Sequence, residues 1–212
     1  SHWGSIWFQD EFADNMAPRH ERHSRFQQVR AGKHNVPSDP QWFGYKGWDF
    51  VRSINVGLEN YGRADIPQEI AAQYAAEARL FRGWFYADKV QKFGDVPWVD
   101  QPLDTDSEEL YAPRTPREEA MNNVLEDLNF AAEHLPDDWE DGNSPGRLNR
   151  WNALLVKSRV ALFEGTWRKY HGGSDADMWL LEAADAAREI MDDGPYSLYS
   201  TGDPENDYNA YH

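Results

Sequence analysis

The chain has 212 residues, of which 40% are hydrophobic and 14% aromatic, and it carries 37 acidic against 21 basic side chains. This apolar content is that of a folded protein, and the length allows one sizeable core or two small ones. The formal net charge of −16 repels phosphate backbones and so excludes nucleic acid as a favoured partner, while the absence of cysteine excludes disulfides, thiolate metal ligands and cysteine nucleophiles within this chain.

The first 44 or so residues show no sustained hydrophobic period. Their aromatic side chains are scattered among proline, glycine and histidine, and we expect long loops with at most one short helix. No apolar run in the chain approaches the roughly 18 residues that a membrane-spanning helix needs.

A first amphipathic helix is predicted from about residue 45 to residue 61. Trp48, Val51 and Ile54 recur at every third position, which places them on one face of a helix. Gly62 is the expected end, because glycine favours the C-terminal boundary of a helix.

The second helix, predicted over residues 67–93, is the most strongly specified part of the chain. Asp65 is its expected cap, Gln68 the capping-box partner, and Gly94 the stop signal. Apolar residues repeat at helical spacing along one broad face, where small alanines would let a neighbouring helix approach closely. These residues are Ala71, Tyr74, Ala75, Ala78, Phe81, Phe85 and Val90.

Three more helices are predicted in the second half of the chain. The third covers residues 116–135, with Thr115 as its expected cap and Glu118 as the capping-box partner. The fourth covers about 149–170 and the fifth about 177–193. Each carries an apolar stripe at helical spacing and ends at proline or glycine signals.

Successive amphipathic helices predict an all-α fold of antiparallel helix pairs with tetratricopeptide-like stacking and long irregular loops. We pair the first helix with the second and the third with the fourth, which leaves the fifth without a partner. An apolar face with nothing to cover it implies more chain. We therefore expect residues 1–212 to be the N-terminal helical part of a single domain that begins before residue 1 and continues past residue 212.

The order of several motifs resembles that of the SusD/RagB family of outer-membrane nutrient-binding proteins. An Asp-Glu pair stands at residues 10–11, and Trp48-x-x-Val-x-x-Ile-Asn follows in the first helix. The segment 77–98 contains the helix exit Gly-Asp-Val-Pro-Trp, and residues 146–167 read GRLNRWNALLVKSRVALFEGTW. Each motif alone is weak, but the ordered set is fairly specific.

The resemblance implies a non-catalytic lipoprotein on the extracellular face of a bacterial outer membrane. Such a protein binds a glycan ligand, without a cofactor, and delivers it to a SusC-like TonB-dependent transporter. Its membrane association is through a lipid anchor on a cysteine, a residue that this chain lacks, so we expect the anchor outside residues 1–212.

Aromatic rings stack on the apolar face of a sugar ring while amides and charged groups bind the hydroxyls. Rings in irregular, polar segments are the better candidates, although hydrophobic anchoring of loops is an equal alternative. The resemblance adds polar residues from the loop after the Asp-Glu pair. The expected ligand-binding residues are Trp3, Trp7, Asn15, Arg19, His20, Trp42 and Tyr45.

The rings within helical patterns are expected to pack in the core instead. These residues are Trp84, Phe85, Trp151, Phe163 and Trp167.

The charged residues give no catalytic or metal motif. The acidic loop 100–110 lacks the register of a calcium-binding loop and is expected to face water, and the spacing of His20 and His23 is not that of a zinc protease. Arg82 in the second helix is expected to pair with a carboxylate such as Asp127 or Glu164.

Two alternatives to glycan binding stay open. One is a peptide receptor of the same fold, and the other is a helical scaffold that docks another protein.

Overall fold

The computed structural model describes residues 31–35, 38, 44–139 and 146–211, with side chains described as far as residue 207. The chain divides into two units, Ser1–Tyr45 and Lys46–His212. The loops expected in the first 44 residues lie largely outside the described residues. All helices given below belong to the second unit.

Helices dominate the described part of the chain, which confirms the all-α prediction. The five predicted helices are present, with ends within three residues of those expected, and a short sixth helix was not predicted. They are α1 (Trp48–Tyr61), α2 (Gln68–Phe93), α3 (Arg117–His134), α4 (Arg150–His171), α5 (Ala176–Asp193) and α6 (Pro204–Tyr211), with a 3-10 turn at Glu108–Tyr111. Among the described helices, none combines the length and the apolarity that crossing a membrane would require.

The helix ends follow sequence signals at some places and tertiary contacts at others. Asn149 caps α4 in a full capping box with Asn152. By contrast, α2 begins after Pro67 without any side-chain cap, so the predicted Asp65–Gln68 box is wrong. Proline already fixes the backbone angle that the first turn needs, and it has no N–H to satisfy.

Helix α3 is capped from a distant segment. The predicted cap, Thr115, instead binds the chain after α2: its N–H donates to the carbonyl of Val96, and its hydroxyl accepts from the Trp98 N–H at 3.1 Å. The first N–H of the helix, that of Arg117, donates to the Asp95 carboxylate at 2.8 Å. The Gly-Asp-Val-Pro-Trp exit therefore fastens the start of α3.

The most extensive helix contacts join α2 to α3 and α4 to α5. The predicted pairs, the first helix with the second and the third with the fourth, also contact each other, but less extensively. The fifth helix does have a partner, since it packs along α4.

Both close pairs cross at a glycine in the middle of a helix. A Cβ atom at Gly83 would lie 3.3 Å from the Leu128 side chain on α3, and one at Gly165 would lie 2.8 Å from Leu180 Cγ and 3.0 Å from the Leu180 backbone nitrogen on α5. The two glycines end similar tetrapeptides, Leu-Phe-Arg-Gly in α2 and Leu-Phe-Glu-Gly in α4. The first tetrapeptide lies where α2 packs closely on α3, and the second lies where α4 packs closely on α5.

The main core lies between α2 and α3 and extends to α4 and α5. Its buried members come from all of α1 to α5, and the largest of those that are completely buried include Leu80, Met121, Leu128 and Trp179. A smaller cluster around Trp151 and Leu154 lies between α4 and α5.

A buried ion pair connects α2 to α3. Arg82 donates to both oxygens of Asp127, from Nε at 2.7 Å and from Nη2 at 2.8 Å. This confirms the predicted pairing of Arg82 with Asp127. Arg79 adds a second guanidinium at 3.4 Å. Burial raises the pKa of Asp127, and the hydrogen bonds and charge of Arg82 oppose that rise.

The same arginine reaches α1 and the chain after α2. Arg82 Nη1 donates to the Asn55 side-chain oxygen at 2.9 Å, and the Asn55 amide donates to the Val99 carbonyl at 2.9 Å. The Val99 N–H in turn donates to the Tyr86 hydroxyl at 2.8 Å. One network of side chains thus holds three helices and the exit segment together.

A second buried pair lies between α3 and α4. Glu164 accepts from Arg168 at 2.7 Å within α4 and from Arg117 on α3 at 2.7 Å. Arg168 also donates to the Glu118 carbonyl. Glu164, the other suggested partner of Arg82, is therefore engaged elsewhere.

Replacing Gly165 by alanine should lower the free energy of unfolding by about 1–3 kcal/mol, because the added Cβ meets the Leu180 backbone and cannot be relieved by a side-chain rotation. Chemical denaturation measures the change. Gly57→Ala is the matched control, since its Cβ meets only the end of the Tyr61 side chain and alanine favours a helix by up to about 1 kcal/mol. Equal stability changes in the two variants would contradict the close crossing.

Replacing Arg82 by alanine should cost about 3–5 kcal/mol of unfolding free energy, because it leaves the buried Asp127 carboxylate without its main partner. The control is Arg63→Ala, which removes an exposed pair with Glu59 and should cost less than about 1 kcal/mol. A melting temperature for Arg82→Ala as high as that of the control would refute the structural role.

Stability should fall between about pH 10 and pH 12 through Tyr86. Burial raises the pKa of Tyr86 to about 12, whereas an unfolded tyrosine has a pKa of about 10. The unfolded state loses its proton first, so a contribution of about 2–3 kcal/mol present below pH 10 is lost as the pH approaches 12.

Urea denaturation of the wild type and of Tyr86→Phe at pH 9 to 12 measures this effect. The variant starts lower, because the Val99 N–H loses its acceptor, but its stability should fall less steeply. Parallel pH profiles would rule out the contribution of Tyr86.

Candidate functional site

Most of the predicted ligand-binding residues lie outside the described residues. This applies to Trp3, Trp7, Asn15, Arg19, His20 and Trp42. Tyr45 is described and is half-buried, three residues before α1 begins. Their proposed role in binding stays a prediction.

The acidic loop after α2 faces water, as predicted. Its carboxylate residues are all exposed, and the 3-10 turn Glu108–Tyr111 lies at its end. Among the described residues, no group of three or more histidine and acidic side chains is arranged to hold a metal ion.

The buried carboxylates are held by arginines. Asp127 and Glu164 are each paired with guanidinium groups inside the protein. Their oxygens are therefore engaged in joining helices, and this arrangement does not present them to a ligand.

Two aromatic rings that were expected in the core are exposed. Trp84 is 50% exposed on α2, and Trp167 is 39% exposed near the end of α4, so the prediction that they pack internally is wrong. Trp151 is buried, as expected. Aromatic residues can recur at helical spacing on the buried face and on the exposed face of a helix. Their spacing therefore does not show which face a neighbouring helix covers.

The exposed Trp167 ring is already in contact with other side chains. The imidazole of His171 stacks on it with a centroid distance of 3.9 Å and an interplanar angle of 13°. The Arg117 guanidinium lies 4.6 Å from the ring centroid. These contacts occupy much of the surface on which a sugar could stack.

The exposed Trp84 directly precedes Phe85 in the sequence, and Phe85 belongs to a second aromatic group on α1 and α2. Phe50 contacts Phe81 edge to face at a centroid distance of 6.1 Å and lies 6.5 Å from Phe85. Phe50 is itself largely exposed. This group also has a charged neighbour, since the Lys89 amine lies 4.4 Å from the centroid of the Phe85 ring.

A third group combines rings with charges, and we name it the Tyr74 cluster. Tyr61 at the end of α1 lies 6.1 Å from Tyr74 on α2, measured between ring centroids. The Arg147 guanidinium lies 5.6 Å from the Tyr74 ring and 3.3 Å from the Trp139 ring. Glu77, one turn after Tyr74, binds Arg147 at 3.1 Å.

The Tyr74 cluster was not predicted from the sequence. Tyr74 was assigned to the packed face of the second helix, but it is 42% exposed. One feature of the sequence indicated that Tyr74 is exposed. It lies three residues before Glu77, so the two side chains share a helix face, and a charged residue on that face favours contact with water. Its partners Trp139 and Arg147 come from distant segments, and no local pattern reveals them.

Comparison with known proteins gives a consistent result. Residues 3–162 match the family described as "SusD-like_3: Starch-binding associating with outer membrane". The SusD-like protein P25 of Formosa agariphila is 24% identical over 165 residues, which cover 76% of this chain and 28% of that protein.

Solved structures show the same fold. A SusD-like protein from Bacteroides fragilis NCTC 9343 superposes with a TM-score of 0.62 and 25% identity, over 77% of this chain and 29% of that one. A surface glycan-binding protein A from Bacteroides fluxus superposes with a TM-score of 0.64 and 18% identity, over 83% of this chain and 35% of that one.

The alignments therefore span less than a third of the curated relative P25 and of the B. fragilis structure. The part that matches the family contains α1, the α2–α3 pair with the exit segment between them, and the first part of α4. Because the family match extends over three quarters of its residues, this chain belongs to the SusD-like family.

Proposed function

We propose that the protein containing this chain is a non-catalytic glycan-binding protein of the bacterial outer-membrane surface. In this proposal it delivers oligosaccharides to a SusC-like TonB-dependent transporter. The observation that carries the proposal is the match of residues 3–162 to a family described as starch-binding and associating with the outer membrane.

The packed helical scaffold supports a protein that binds its ligand without catalysing a reaction. Its internal charges are paired across helices, and its exposed rings lie on helices whose positions are fixed by close packing. Ligand surfaces of this kind gain affinity because their side chains are ordered before the ligand arrives. Stacking on rings and hydrogen bonding to hydroxyls need no bond to be broken.

The role of the buried carboxylates also supports a non-catalytic protein. Glycoside hydrolysis needs two carboxyl groups that flank the scissile bond. Asp127 and Glu164 are nearly inaccessible and hold arginines instead. The candidate ligand-binding residues are those predicted from the sequence, Trp3, Trp7, Asn15, Arg19, His20, Trp42 and Tyr45.

Affinity electrophoresis of the full-length protein tests the binding. In native gels that contain soluble starch, laminarin or dextran, we expect retardation by at least one polysaccharide relative to a gel without it. Serum albumin serves as the non-binding control. Migration that no polysaccharide changes, together with calorimetric binding of a mixed peptide pool, would instead favour the peptide receptor.

The same samples test the absence of catalysis. Incubation with the retarding polysaccharide should release no reducing ends above the blank. The Arg82→Ala variant, assayed well below its melting temperature, should still be retarded, because Arg82 is buried among helices. Release of reducing ends, or lost retardation in a variant with unchanged melting, would contradict these assignments.

Co-purification tests delivery to a transporter. Solubilised outer membranes of the source bacterium should yield the tagged protein together with a large β-barrel protein. Recovery with a soluble partner alone would favour the docking scaffold.

A further inference from the structure

We propose that the Tyr74 cluster, made of Tyr61, Tyr74, Glu77, Trp139 and Arg147, is an additional contact site for an uncharged sugar chain. This inference rests on the proposed glycan-binding function. It concerns residues of the helical scaffold, in addition to those predicted in the N-terminal loops.

The cluster forms a continuous strip of rings and one guanidinium. Tyr61 and Tyr74 are inclined to each other by only 32° at a centroid distance of 6.1 Å. Beyond Tyr74, the Arg147 guanidinium covers the Trp139 ring at 3.3 Å, so Trp139 supports the arginine while the two tyrosine rings offer the stacking surfaces. Neighbouring rings at small mutual angles offer successive surfaces for the sugar units of a chain.

The tyrosines also provide free polar groups. Within the described part of the chain, neither the Tyr61 nor the Tyr74 hydroxyl makes a hydrogen bond. Each can donate one hydrogen bond and accept others. A ligand rich in hydroxyl groups can therefore bind at the edge of the strip while it stacks on the rings.

The charge balance of the cluster favours an uncharged ligand. Both oxygens of Glu77 lie near Arg147, at 3.1 Å and 3.3 Å from its nitrogens, so the two formal charges cancel locally. The chain as a whole carries −16, which repels anionic sugars and phosphates. A neutral polysaccharide meets no such opposition.

The cluster is held in place before a ligand binds. The Trp139 indole donates to the Leu148 carbonyl at 2.9 Å, and the Arg147 guanidinium lies on that ring while it is paired with Glu77. Tyr61 and Tyr74 belong to helices α1 and α2. An ordered site loses little side-chain entropy on binding.

Affinity electrophoresis of full-length variants in starch, laminarin and dextran gels tests the inference. Tyr74→Ala should raise the apparent Kd for the retarding polysaccharide about three- to tenfold, because it removes the most exposed ring of the strip. Tyr74→Phe keeps the ring, so it should lose less affinity than Tyr74→Ala.

Tyr111→Ala is the matched control. Tyr111 is a more exposed tyrosine, at 84%, on the 3-10 turn and is not a member of the cluster, so its removal should leave retardation unchanged. Melting curves should show that all three variants remain folded, as expected for exposed side chains.

The outcomes separate the two proposals. Retardation of Tyr74→Ala equal to that of the wild type overturns the site and leaves the proposed function standing. An equal loss in Tyr111→Ala also overturns it, since any exposed tyrosine would then suffice. A wild type that no polysaccharide retards overturns the proposed function and this site together.

Discussion

The ion pair between Arg82 and Asp127 is the interaction on which the helical scaffold depends. Arg82 is buried, and its guanidinium donates to both carboxylate oxygens of Asp127 and to the side chain of Asn55. One side chain therefore fixes α1 and α3 relative to α2. Burying this ion pair alone would cost free energy, because both charges leave water. The additional hydrogen bonds to the two side chains offset that cost.

The network extends beyond the helices to the segment that leaves α2. Asn55 and Tyr86 hold the backbone of Val99 from two sides, and Asp95 and Thr115 tie the same segment to the start of α3. Apolar packing alone would tolerate small shifts of one helix along another, whereas these directional bonds do not. The segment from Asp95 to Val99 is thus tied by directional hydrogen bonds to α1, to α2 and to the start of α3.

The sequence predicted the helices well because each carries a long apolar period, which is a local signal. The start of α4 was predicted near Asn149, but its capping box was not. The caps predicted for α2 and α3 were wrong, because α2 begins after Pro67 without a side-chain cap and Asp95 caps α3 from another segment. The two most extensive helix contacts, α2 with α3 and α4 with α5, were not predicted, because apolar stripes do not identify their partners. The glycines at 83 and 165 were the available signal, since mid-helix glycine is unfavourable unless a neighbour approaches closely.

The orientation of the Tyr74 ring likewise depends on tertiary contacts that the local sequence does not reveal. Tyr74 lies two turns of helix, about 12 Å, before Arg82 on α2, so the ion pair that fixes this helix also fixes the ring. Tyr61 is positioned in turn through α1, which Asn55 joins to Arg82. A slip of α2 by one residue would rotate Tyr74 by about 100° away from Arg147 and Tyr61. The buried charges therefore belong to the scaffold that orients these helices, and the exposed rings stand on its surface.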